Sequence, residues 1–424
     1  MSKKETKKGF LKEWGDALLF AVVAATFIRW VAFEAFTIPT SSMEKSLYIG
    51  DYLFVSKLHY GPRTPKTPLQ VPLTHQKIWG TDINSFSDLI QLPQFRLPGF
   101  SSVQNNDVVV FNYPAEENDY PSDLKTNYIK RCIGIAGDDI QIKDQVVSIN
   151  GQVVDYPEYI KLQTDYTVKT KQPLGLKFLE DNNLYYNIDN IARFPTLQNE
   201  AALREYMIRQ GATNFYGNLT KSKDGIYTYH HLNLTDEQVA ALKASELVVA
   251  VEKMIDNSRF RIFGNAVNEW TTDNFGPLHI PKEGETVSIN EGNWPYYKDI
   301  IQKYEENENP QFKDGKLYIG GQVQESYTIQ QDYYFMMGDN RHNSLDSRFW
   351  GFVPEDHIIG KAVMVWMSND PNPQTGSIRW NRLLHIIDSD FQLPVAVKFI
   401  IGALFFGMII FFSIRDNRKK NNNL

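Results

Sequence analysis

The stretch MMGDNRHNSLDSRFWGFVP, residues 336–354, places charged, amide, hydroxyl and aromatic side chains within 19 residues. A solvated hairpin loop does not need Phe349 and Trp350 so close to the charges of Asp346 and Arg348. Charged groups that leave water beside aromatic rings need partners of opposite charge and further hydrogen bonds. The stretch therefore predicts a buried, hydrogen-bonded corner that follows an apolar strand.

A lysine inside a predicted strand is the second feature. The stretch NYIKRCIGIAGDD (127–139) alternates so that Lys130 shares one face with Tyr128 and Cys132. Burial among apolar groups disfavours the ammonium and lowers the pKa of a lysine. A fall of roughly 2–3 units from ~10.4 lets a lysine act as a base near pH 8. Taken alone, the stretch also fits a lysine at a sheet edge that extends its ammonium into water.

Hydroxyl groups cluster just after the first apolar segment of the chain. The stretch IPTSSMEKS (38–46) contains Thr40, Ser41 and Ser42 after Pro39, which forces the preceding residue into extended backbone. A serine becomes a nucleophile when a nearby base takes its proton. An ordinary turn, in which the hydroxyls satisfy backbone groups, is the alternative.

Short β-type runs dominate the chain outside its ends, and Gly, Asp and Asn turns separate them. This spacing predicts a mainly β protein built on antiparallel sheets. The runs are DYLFVSKL (51–58), DVVVFNYP (107–114), NYIKRCIGI (127–135), DIQI (139–142), VVSINGQVV (146–154), KLYIGGQV (316–323), DYYFMMGDN (332–340) and IIGKAVMVWM (358–367).

Two regions depart from this pattern. Residues 60–105 are rich in Pro and Ser and are predicted to be an excursion without regular structure. Residues 155–315 include a helix-like stretch, 234–255, with Thr235 as its predicted N-cap and Glu237 close behind it. We interpret residues 155–315 as a large α+β insertion in one β scaffold.

Two apolar segments approach the length of about 20 residues that a membrane helix needs. The first covers residues 16–36, and Trp14 and Trp30 lie near its two ends, as is typical of membrane interfaces. The second covers residues 395–414. A cleaved signal peptide is the alternative for the first segment, but no small-x-small cleavage site follows a short apolar run.

The formal charge of −6 is distributed unevenly. Residues 1–14 carry five Lys and two Glu, and residues 415–420 carry four cations and one Asp, so each end is +3 and the rest is −12. The positive-inside rule predicts that both basic ends are cytoplasmic and that the chain between the spans lies outside. An acidic middle argues against nucleic acid as a partner. The one cysteine, Cys132, allows no internal disulfide.

The three stretches, in this order, resemble those of the type I signal peptidases, which are membrane-anchored Ser/Lys proteases of bacteria. The family sequence around the nucleophile, IP-S/T-x-S-M, is matched by residues 38–43, and YIKR (128–131) is similar to the box that holds the general base. The opening stretch matches the family sequence GDNRxNSxDSRxWGFVP almost without a gap. The matched boxes cover residues 36–58, 107–151 and 332–367, under a quarter of the chain.

The resemblance implies which residues would react. Ser42 would be the nucleophile and Lys130 the general base. Thr40 would join the backbone N–H of Ser42 in an oxyanion hole. Small side chains, as in an Ala-x-Ala sequence, would enter shallow pockets lined by Phe36, Ile38, Leu47, Tyr128 and Ile129.

The resemblance also implies three supporting residues. Ser344 would hydrogen-bond to the lysine and orient it, and Asp346 and Arg348 would form an ion pair. Two departures near the nucleophile, Lys45 in place of a Pro and Ser46 in place of a Thr, remove no reacting group. With one predicted span at each end, the chain also differs from members that have two spans before the catalytic domain.

The implied activity is the cleavage of signal peptides from exported preproteins at the outer (periplasmic) face of the bacterial inner membrane. The partners are then signal peptides and membrane lipid, with no cofactor; the eight His and one Cys also form no cluster with metal-ligand spacing. The predicted parts are a basic tail (1–15), a transmembrane helix (16–36), the first part of a catalytic core (37–154), a non-catalytic insertion (155–315), the second part of the core (316–390), a transmembrane helix (395–414) and a basic tail (415–424).

Two other functions fit parts of the sequence. A Ser-His-Asp hydrolase would use His342 or His357 with Asp339, because His342 is two residues from Ser344. A membrane-tethered scaffold or export partner would keep the fold without catalysis. The presence of both Ser42 and Lys130 favours an enzyme over such a scaffold.

Overall fold

The computed structural model describes residues 10–116, 120–174, 178, 184, 219–257, 262–265, 269–370, 378–394, 396–398 and 400. The helices there are α1 (Phe10–Val31), α2 (Asp236–Lys243), α3 (Trp294–Asp299) and α4 (Ser347–Trp350). Short 3₁₀ helices cover Ser122–Leu124, Ile262–Asn265, Glu355–His357 and Trp380–Arg382, and a π-helical turn covers Ile300–Tyr304.

Strands outnumber helices in this part of the chain, as predicted for a mainly β protein. The strands are β1 (Phe33–Thr37), β2 (Asp51–Ser56), β3 (Val108–Asn112), β4 (Asn127–Gly134), β5 (Asp139–Lys143), β6 (Val146–Ile149), β7 (Gln152–Val153), β8 (Thr164–Thr170), β9 (Leu219–Lys221), β10 (Tyr227–Leu234), β11 (Val248–Lys253), β12 (Phe275–His279), β13 (Thr286–Val287), β14 (Gln311–Lys313), β15 (Lys316–Ile319), β16 (Gln322–Gln324), β17 (Tyr327–Thr328), β18 (Tyr333–Met337), β19 (Val353–Pro354), β20 (Ile358–Ser368) and β21 (His385–Ile386).

An antiparallel sheet of eight strands forms the centre of the fold. Its order is β1-β2-β20-β3-β4-β18-β19, with β21 paired to β20. Strand β20 comes late in the chain but lies between β2 and β3, which come early. The central sheet therefore unites the two predicted parts of the core. Each of the eight predicted β-type runs contains one or two strands of the structure.

Both faces of the central sheet are covered by apolar side chains. In β3, Val108 and Val110 pack into the cluster on one face, and Val109 and Phe111 pack into the cluster on the other. Successive strand residues point to opposite faces, so a strand that is covered on both sides is apolar throughout. This explains why residues 108–111 of β3 form a continuous apolar run.

A second, smaller sheet lies inside the predicted insertion. It has the order β11-β8-β10-β9 and shares a separate apolar core with α2. Thr235 caps α2 as predicted, but its partner in the capping box is Gln238 and not Glu237. The prediction of a helix through residue 255 is wrong, because α2 ends at Lys243 and the Val-rich segment that follows forms β11.

Other described residues of the predicted insertion, from 262 onward, join the main scaffold. Strand β12 pairs with β5, and Phe275 and Ile300 pack in the same cluster as Ile133 and Phe335. Because these contacts cross the predicted boundaries of the insertion, at residues 155 and 315, those two boundaries stay a prediction. The separate core is the one formed around β8, β10, β11 and α2.

One helix in the described part of the chain is long and apolar enough to cross a membrane. This is α1, whose apolar window is Trp14–Val31. The helix ends at Val31, short of the predicted end at residue 36, because the chain continues as β1. In β1, Glu34 is ion-paired with Arg29 at 2.6 Å and with Lys57 at 2.8 Å, which fixes the strand at the helix end. The second predicted span, 395–414, lies outside the described residues apart from 396–398 and 400.

Candidate active site

Ser42 lies in the loop that joins β1 to β2. The backbone N–H of Ile38 donates to the carbonyl of Asp51 at 2.9 Å and closes the base of the loop. Inside the loop the N–H of Leu47 donates to the carbonyl of Met43 at 2.7 Å, and both side chains are buried in the apolar cluster below. These anchors hold Ser42, which is itself buried, in one position.

Lys130 of β4 contacts Ser42 directly. Its Nζ lies 2.6 Å from Ser42 Oγ and also donates to the carbonyl of Ile129 at 3.1 Å. The Tyr128 ring centre is 5.6 Å from Nζ. Lys130 is only 4% exposed, which excludes the alternative of an ammonium extended into water. The predicted nucleophile and the predicted base are thus a hydrogen-bonded pair.

Burial lowers the pKa of Lys130 to about 8. The negative charges of Asp346 and Asp339 act in the opposite direction, because they favour the ammonium, but the effect of burial is larger. A substantial neutral fraction is therefore present at mildly alkaline pH. The fall in pKa that the alternation of the strand predicted is confirmed.

The corner predicted for residues 336–354 is buried and closed by an ion pair. Arg348 donates from Nε and Nη2 to the two carboxylate oxygens of Asp346, both at 2.8 Å. Asp346 also accepts from the N–H of Gly338 at 3.1 Å. Burial by itself would raise the pKa of Asp346, but the Arg348 guanidinium holds that pKa below its usual value. The predicted ion pair is therefore present, and Asp346 is a carboxylate.

A second buried ion pair joins β4 to the same corner. Arg131 donates from Nε to Asp339 Oδ1 at 2.8 Å and from Nη2 to Asp339 Oδ2 at 2.6 Å, and its Nη1 donates to Asp388 at 2.8 Å. The sequence placed Arg131 on the face of β4 opposite Lys130 but did not identify these partners. Its ionic contacts fix the strand that carries Lys130.

At Gly338 the corner comes close to the loop that holds Ser42. A Cβ atom built on Gly338 would lie 2.3 Å from Ser344 Oγ and 2.5 Å from the carbonyl oxygen of Ser42. Only glycine fits there. Ser344 thus lies near the Ser42 loop, although neither of the two hydrogen bonds of Lys130 within the described chain goes to Ser344.

Two asparagines that were not predicted as site residues hold the loop of Ser42. Asn340 donates from its backbone N–H to the carbonyl of Ser42 at 3.0 Å and from Nδ2 to the carbonyl of Ser41 at 3.3 Å. Asn343 Nδ2 donates to Ser41 Oγ at 2.8 Å. Both lie in the stretch that matches the sequence GDNRxNSxDSRxWGFVP, but neither this match nor the density of amides in residues 340–343 indicated a partner.

The five predicted pocket residues fall on two faces of the sheet. Phe36, Ile38, Leu47 and Ile129 belong to the cluster beneath the Ser42 loop. Tyr128 belongs to the other cluster, where its ring stacks on Tyr113 at 4.5 Å and meets Trp350 at 5.7 Å. Thr40, the predicted oxyanion donor, is exposed in the loop two residues before Ser42.

The two histidines of the alternative Ser-His-Asp triad contact other carboxylates. His342 Nε2 lies 2.8 Å from Asp273 Oδ1, and His357 Nδ1 lies 2.6 Å from Asp356 Oδ1. The third member, Asp339, is bound to Arg131. A Ser-His-Asp arrangement is therefore not assembled from these residues in the part of the chain that the structure describes.

Metal ligands and reactive thiols do not contribute to the described site. No group of three or more His, Cys, Asp or Glu side chains that could hold a metal ion occurs among the described residues. Cys132 is fully buried, and burial raises its pKa well above the ordinary value, so its thiol stays protonated.

A buried serine in contact with a neutralisable lysine, on an antiparallel sheet that follows a membrane-type helix, is the arrangement of a membrane-associated serine peptidase. Comparison with protein families agrees with this class. The family model described as "Signal peptidase, peptidase S26" matches residues 11–231 and 278–367. The chain therefore belongs to the signal peptidase family, peptidase S26, and within it to the type I signal peptidases, which are serine peptidases that cleave signal peptides.

Several similar proteins carry the name Signal peptidase I. One, from Buchnera aphidicola subsp. Acyrthosiphon pisum, is 26% identical over 389 residues, which is 90% of this chain and 84% of the relative. Another, from Buchnera aphidicola subsp. Schizaphis graminum, is 26% identical over 365 residues, 86% of this chain and 77% of the relative. A third, from Rickettsia massiliae, is 31% identical over 176 residues, 41% of this chain and 56% of the relative.

Proposed function

We propose that this signal peptidase cleaves after Ala-x-Ala sequences by a Ser/Lys acyl-enzyme mechanism. The observation that carries the proposal is the 2.6 Å contact between Ser42 Oγ and Lys130 Nζ, together with a pKa of about 8 for Lys130. A neutral lysine at hydrogen-bond distance can accept the hydroxyl proton while the oxygen attacks.

Each step transfers a proton between these two residues and the substrate. Lys130 takes the Ser42 Oγ proton as Oγ bonds to the scissile carbonyl carbon, and the resulting oxyanion accepts hydrogen bonds from the Ser42 N–H and the Thr40 hydroxyl. The C–N bond then breaks, and the ammonium of Lys130 returns the proton to the leaving amine. In the second half, Lys130 takes a proton from water as its oxygen bonds to the acyl carbon. The bond between that carbon and Ser42 Oγ then breaks, the carboxyl product leaves, and the Lys130 ammonium returns the proton to Ser42 Oγ.

Ser344, Asp346 and Arg348 have supporting roles in this proposal. The position of Ser344 beside Gly338, where the corner approaches the carbonyl of Ser42, supports its role in orienting the Lys130 amine once substrate excludes water. The Asp346–Arg348 pair gives the corner a fixed shape, because both groups are buried and matched in charge. Removing one partner would leave the other as an unpaired buried charge.

Substrate binding follows from the strand edges at the site. Strand β1 is an edge strand, and the pairing of β4 with β18 runs only from Arg131 to Gly134, so residues 127–130 extend past it. An extended peptide can add to such edges through backbone hydrogen bonds. The side chains that would shape small pockets for alanine are Phe36, Ile38, Leu47, Tyr128 and Ile129.

The proposed topology has both basic ends in the cytoplasm and the catalytic domain on the outer face of the inner membrane. Helix α1 and the predicted span at 395–414 would hold the chain at both ends. In this layout the core comprises residues 37–154 and 316–390, and residues 155–315 are the insertion. Signal peptides and lipid are the partners, and no nucleic acid or metal is needed.

The test uses the full chain in detergent with a fluorogenic peptide whose cleaved half ends in Ala-x-Ala. Ser42→Ala and Lys130→Ala should each reduce kcat/KM by at least about 10³-fold. Ser41→Ala is the matched control, because it removes only the side-chain hydrogen bond to Asn343. Such a bond contributes about 1 kcal/mol, so kcat/KM should fall by no more than roughly fivefold. Full activity in Lys130→Ala would refute the mechanism, and a cut elsewhere in the peptide, located by mass spectrometry, would refute the specificity.

A further inference from the structure

The small sheet, formed by β8–β11, contacts the catalytic corner through the residue that precedes β8. This residue, Gln163, is fully buried. Its backbone N–H donates to the carbonyl of Asp339 and its carbonyl accepts from the N–H of Arg341, both at 2.9 Å. The two bonds form an isolated parallel bridge in which Gln163 is paired with Asn340. Gln163 therefore fixes the backbone on both sides of Asn340.

Asn340 is the residue of the corner that holds the backbone of the Ser42 loop. Its own N–H donates to the carbonyl of Ser42 at 3.0 Å, whereas the peptide groups on either side of it are bonded to Gln163. Backbone groups of an extended segment bond alternately to its two sides. Residues 339–341 thus lie between the Ser42 loop on one side and Gln163 on the other. A shift of Gln163 would move the backbone to which Ser42 is bonded.

The side chain of Gln163 joins this bridge to the small sheet. Its Nε2 donates to the carbonyl of Asn233 at 3.1 Å. Asn233 belongs to β10 and is paired with Asp165 of β8, so the amide is bonded to one of the two central strands of the sheet. Val168 of β8 and Tyr229 of β10 are fully buried in the core that this sheet shares with α2. The small sheet is therefore a packed unit, and Gln163 attaches it to the corner.

The chain also leaves the small sheet beside the corner. Asp256, which follows β11, donates from its backbone N–H to Oδ2 of Asp273 at 2.6 Å. Oδ1 of the same carboxylate lies 2.8 Å from Nε2 of His342, a residue of the corner. Asp273 is itself buried. Both ends of the small sheet are thus bonded to residues 339–342, one through Gln163 and the other through Asp273.

The segment that Gln163 fixes is connected to both members of the reacting pair. The carbonyl of Asp339 accepts from Gln163, and the side chain of Asp339 holds Arg131, the neighbour of Lys130 in β4. The connection to Ser42 runs through Asn340. Because Gln163 has an exposed fraction of 0%, a peptide bound at the site cannot touch it. Any effect of Gln163 on cleavage is therefore an effect on the position of the reacting groups.

We propose that Gln163 is a positioning residue for the nucleophile, through which the small sheet holds residues 339–341 against the Ser42 loop. Gln163 takes no part in proton transfer. It maintains the contact of 2.6 Å between Ser42 Oγ and Lys130 Nζ. The inference rests on the proposed function, because it assigns Gln163 a role in the Ser/Lys reaction. It also gives the small sheet a role in catalysis, although the sheet supplies no reacting group.

The first experiment separates positioning from stability by making the same substitution at two buried glutamines of the full chain. Gln163→Met keeps the size of the side chain but removes the donor to Asn233. Gln238→Met, the matched control, removes the bond in which the Gln238 side chain accepts from the N–H of Thr235 at 3.0 Å in the cap of α2. Cleavage of the fluorogenic peptide is measured well below the melting temperature of each variant.

The expected result is a loss of kcat at one glutamine only. In Gln163→Met, kcat should fall about tenfold and KM should stay within about twofold of wild type, because a small displacement of a reacting atom slows the chemical step without altering contacts to the peptide. Gln238→Met should keep the wild-type kcat. Equal kcat in the two variants would overturn the proposal, whether both values are at the wild-type level or both are reduced.

A second variant keeps the test decisive if Gln163→Met does not fold. Gln163→Asn retains an amide, but its side chain is one methylene too short to reach the Asn233 carbonyl. An unchanged kcat in this variant would likewise overturn the proposal. Failure of the proposed function would instead appear as full activity in Lys130→Ala, which the positioning role of Gln163 does not affect.

The second experiment observes the bridge without using catalysis. Amide hydrogen exchange of the full chain in detergent is followed by mass spectrometry on peptic peptides that cover residues 339–343. The N–H of Arg341 is bonded to the carbonyl of Gln163, which protects it from exchange in the wild-type protein. Exchange in this segment should be about tenfold faster in Gln163→Met and unchanged in Gln238→Met. Wild-type exchange in Gln163→Met would overturn the proposal even if its kcat were reduced.

Discussion

Among single residues, Lys130 is the one that we expect to determine how the activity depends on pH. Its pKa of about 8 means that the ammonium predominates below pH 8 and the neutral amine above it. Only the neutral amine can accept the proton of Ser42, so kcat/KM should rise about tenfold per pH unit below pH 8 and level off above it. Initial rates on the fluorogenic peptide between pH 6 and 9.5 check this. A flat profile over this range would contradict a titrating lysine.

Gly338 is a second residue at which a single substitution should have a large effect on activity. In Gly338→Ala the new methyl group would meet both Ser344 Oγ and the carbonyl of Ser42 at distances under 3 Å. The nucleophile loop must move, and a shift of about 1 Å at a reacting atom can reduce the rate about 10²-fold. Activity and the melting temperature are measured together on the purified variant. Gly15→Ala is the control, because no atom lies within 4 Å of its added Cβ, and equal activity in the two variants would contradict the close approach.

Among the elements, β4 depends on the ion pair between Arg131 and Asp339. Both side chains are buried, so Asp339→Asn leaves the guanidinium without its bidentate carboxylate and should destabilise the protein by about 3–5 kcal/mol. The exposed pair Lys169–Glu252 offers a matched control, and Glu252→Gln should cost less than about 1 kcal/mol. Thermal unfolding in detergent measures both variants. Equal melting temperatures would show that the buried pair does not stabilise β4.

The strands were predictable because their signal is local. A run such as VVVF (108–111) in β3 is apolar at every position and is bounded by Asp107 and Asn112, so its composition alone indicates a buried strand. The segment after α2 was misread for the opposite reason. Its apolar residues continue a helical pattern from the N-cap at Thr235, and only pairing with β8 makes residues 248–253 a strand.

The contact between Ser42 and Lys130 was predictable, but the residues around this pair were less so. Ser42 and Lys130 lie in short stretches with a recognisable pattern, whereas Asn340 contacts Ser41 across a separation of 299 residues. The same holds for Arg131, whose face was predicted and whose partner Asp339 was not. A hydrogen bond between distant segments leaves no periodicity in either one, so only the assembled fold reveals it.

For the whole molecule, the charged ends predict where each part lies. With both basic ends in the cytoplasm, cysteines at Ser2→Cys and Asn421→Cys should react with a membrane-impermeant maleimide only after the cells are permeabilised. Val323→Cys should react on intact cells, and the buried Cys132 serves as the silent background. Labelling of residue 421 on intact cells would place the C-terminal end outside and would contradict two spans.

The position of β20 determines how late in its synthesis and export the protein can complete its central sheet. This strand lies between β2 and β3, and the corner that holds Ser42 comes just before it in the chain. In the proposed topology, a partly exported chain has Ser42 and Lys130 outside the membrane but lacks the strand that joins their halves of the sheet. Pairings over such long separations form late in folding. We therefore expect the nascent protein to be inert while it crosses the membrane, so that it cannot cut itself or its neighbours until nearly the whole ectodomain has been delivered.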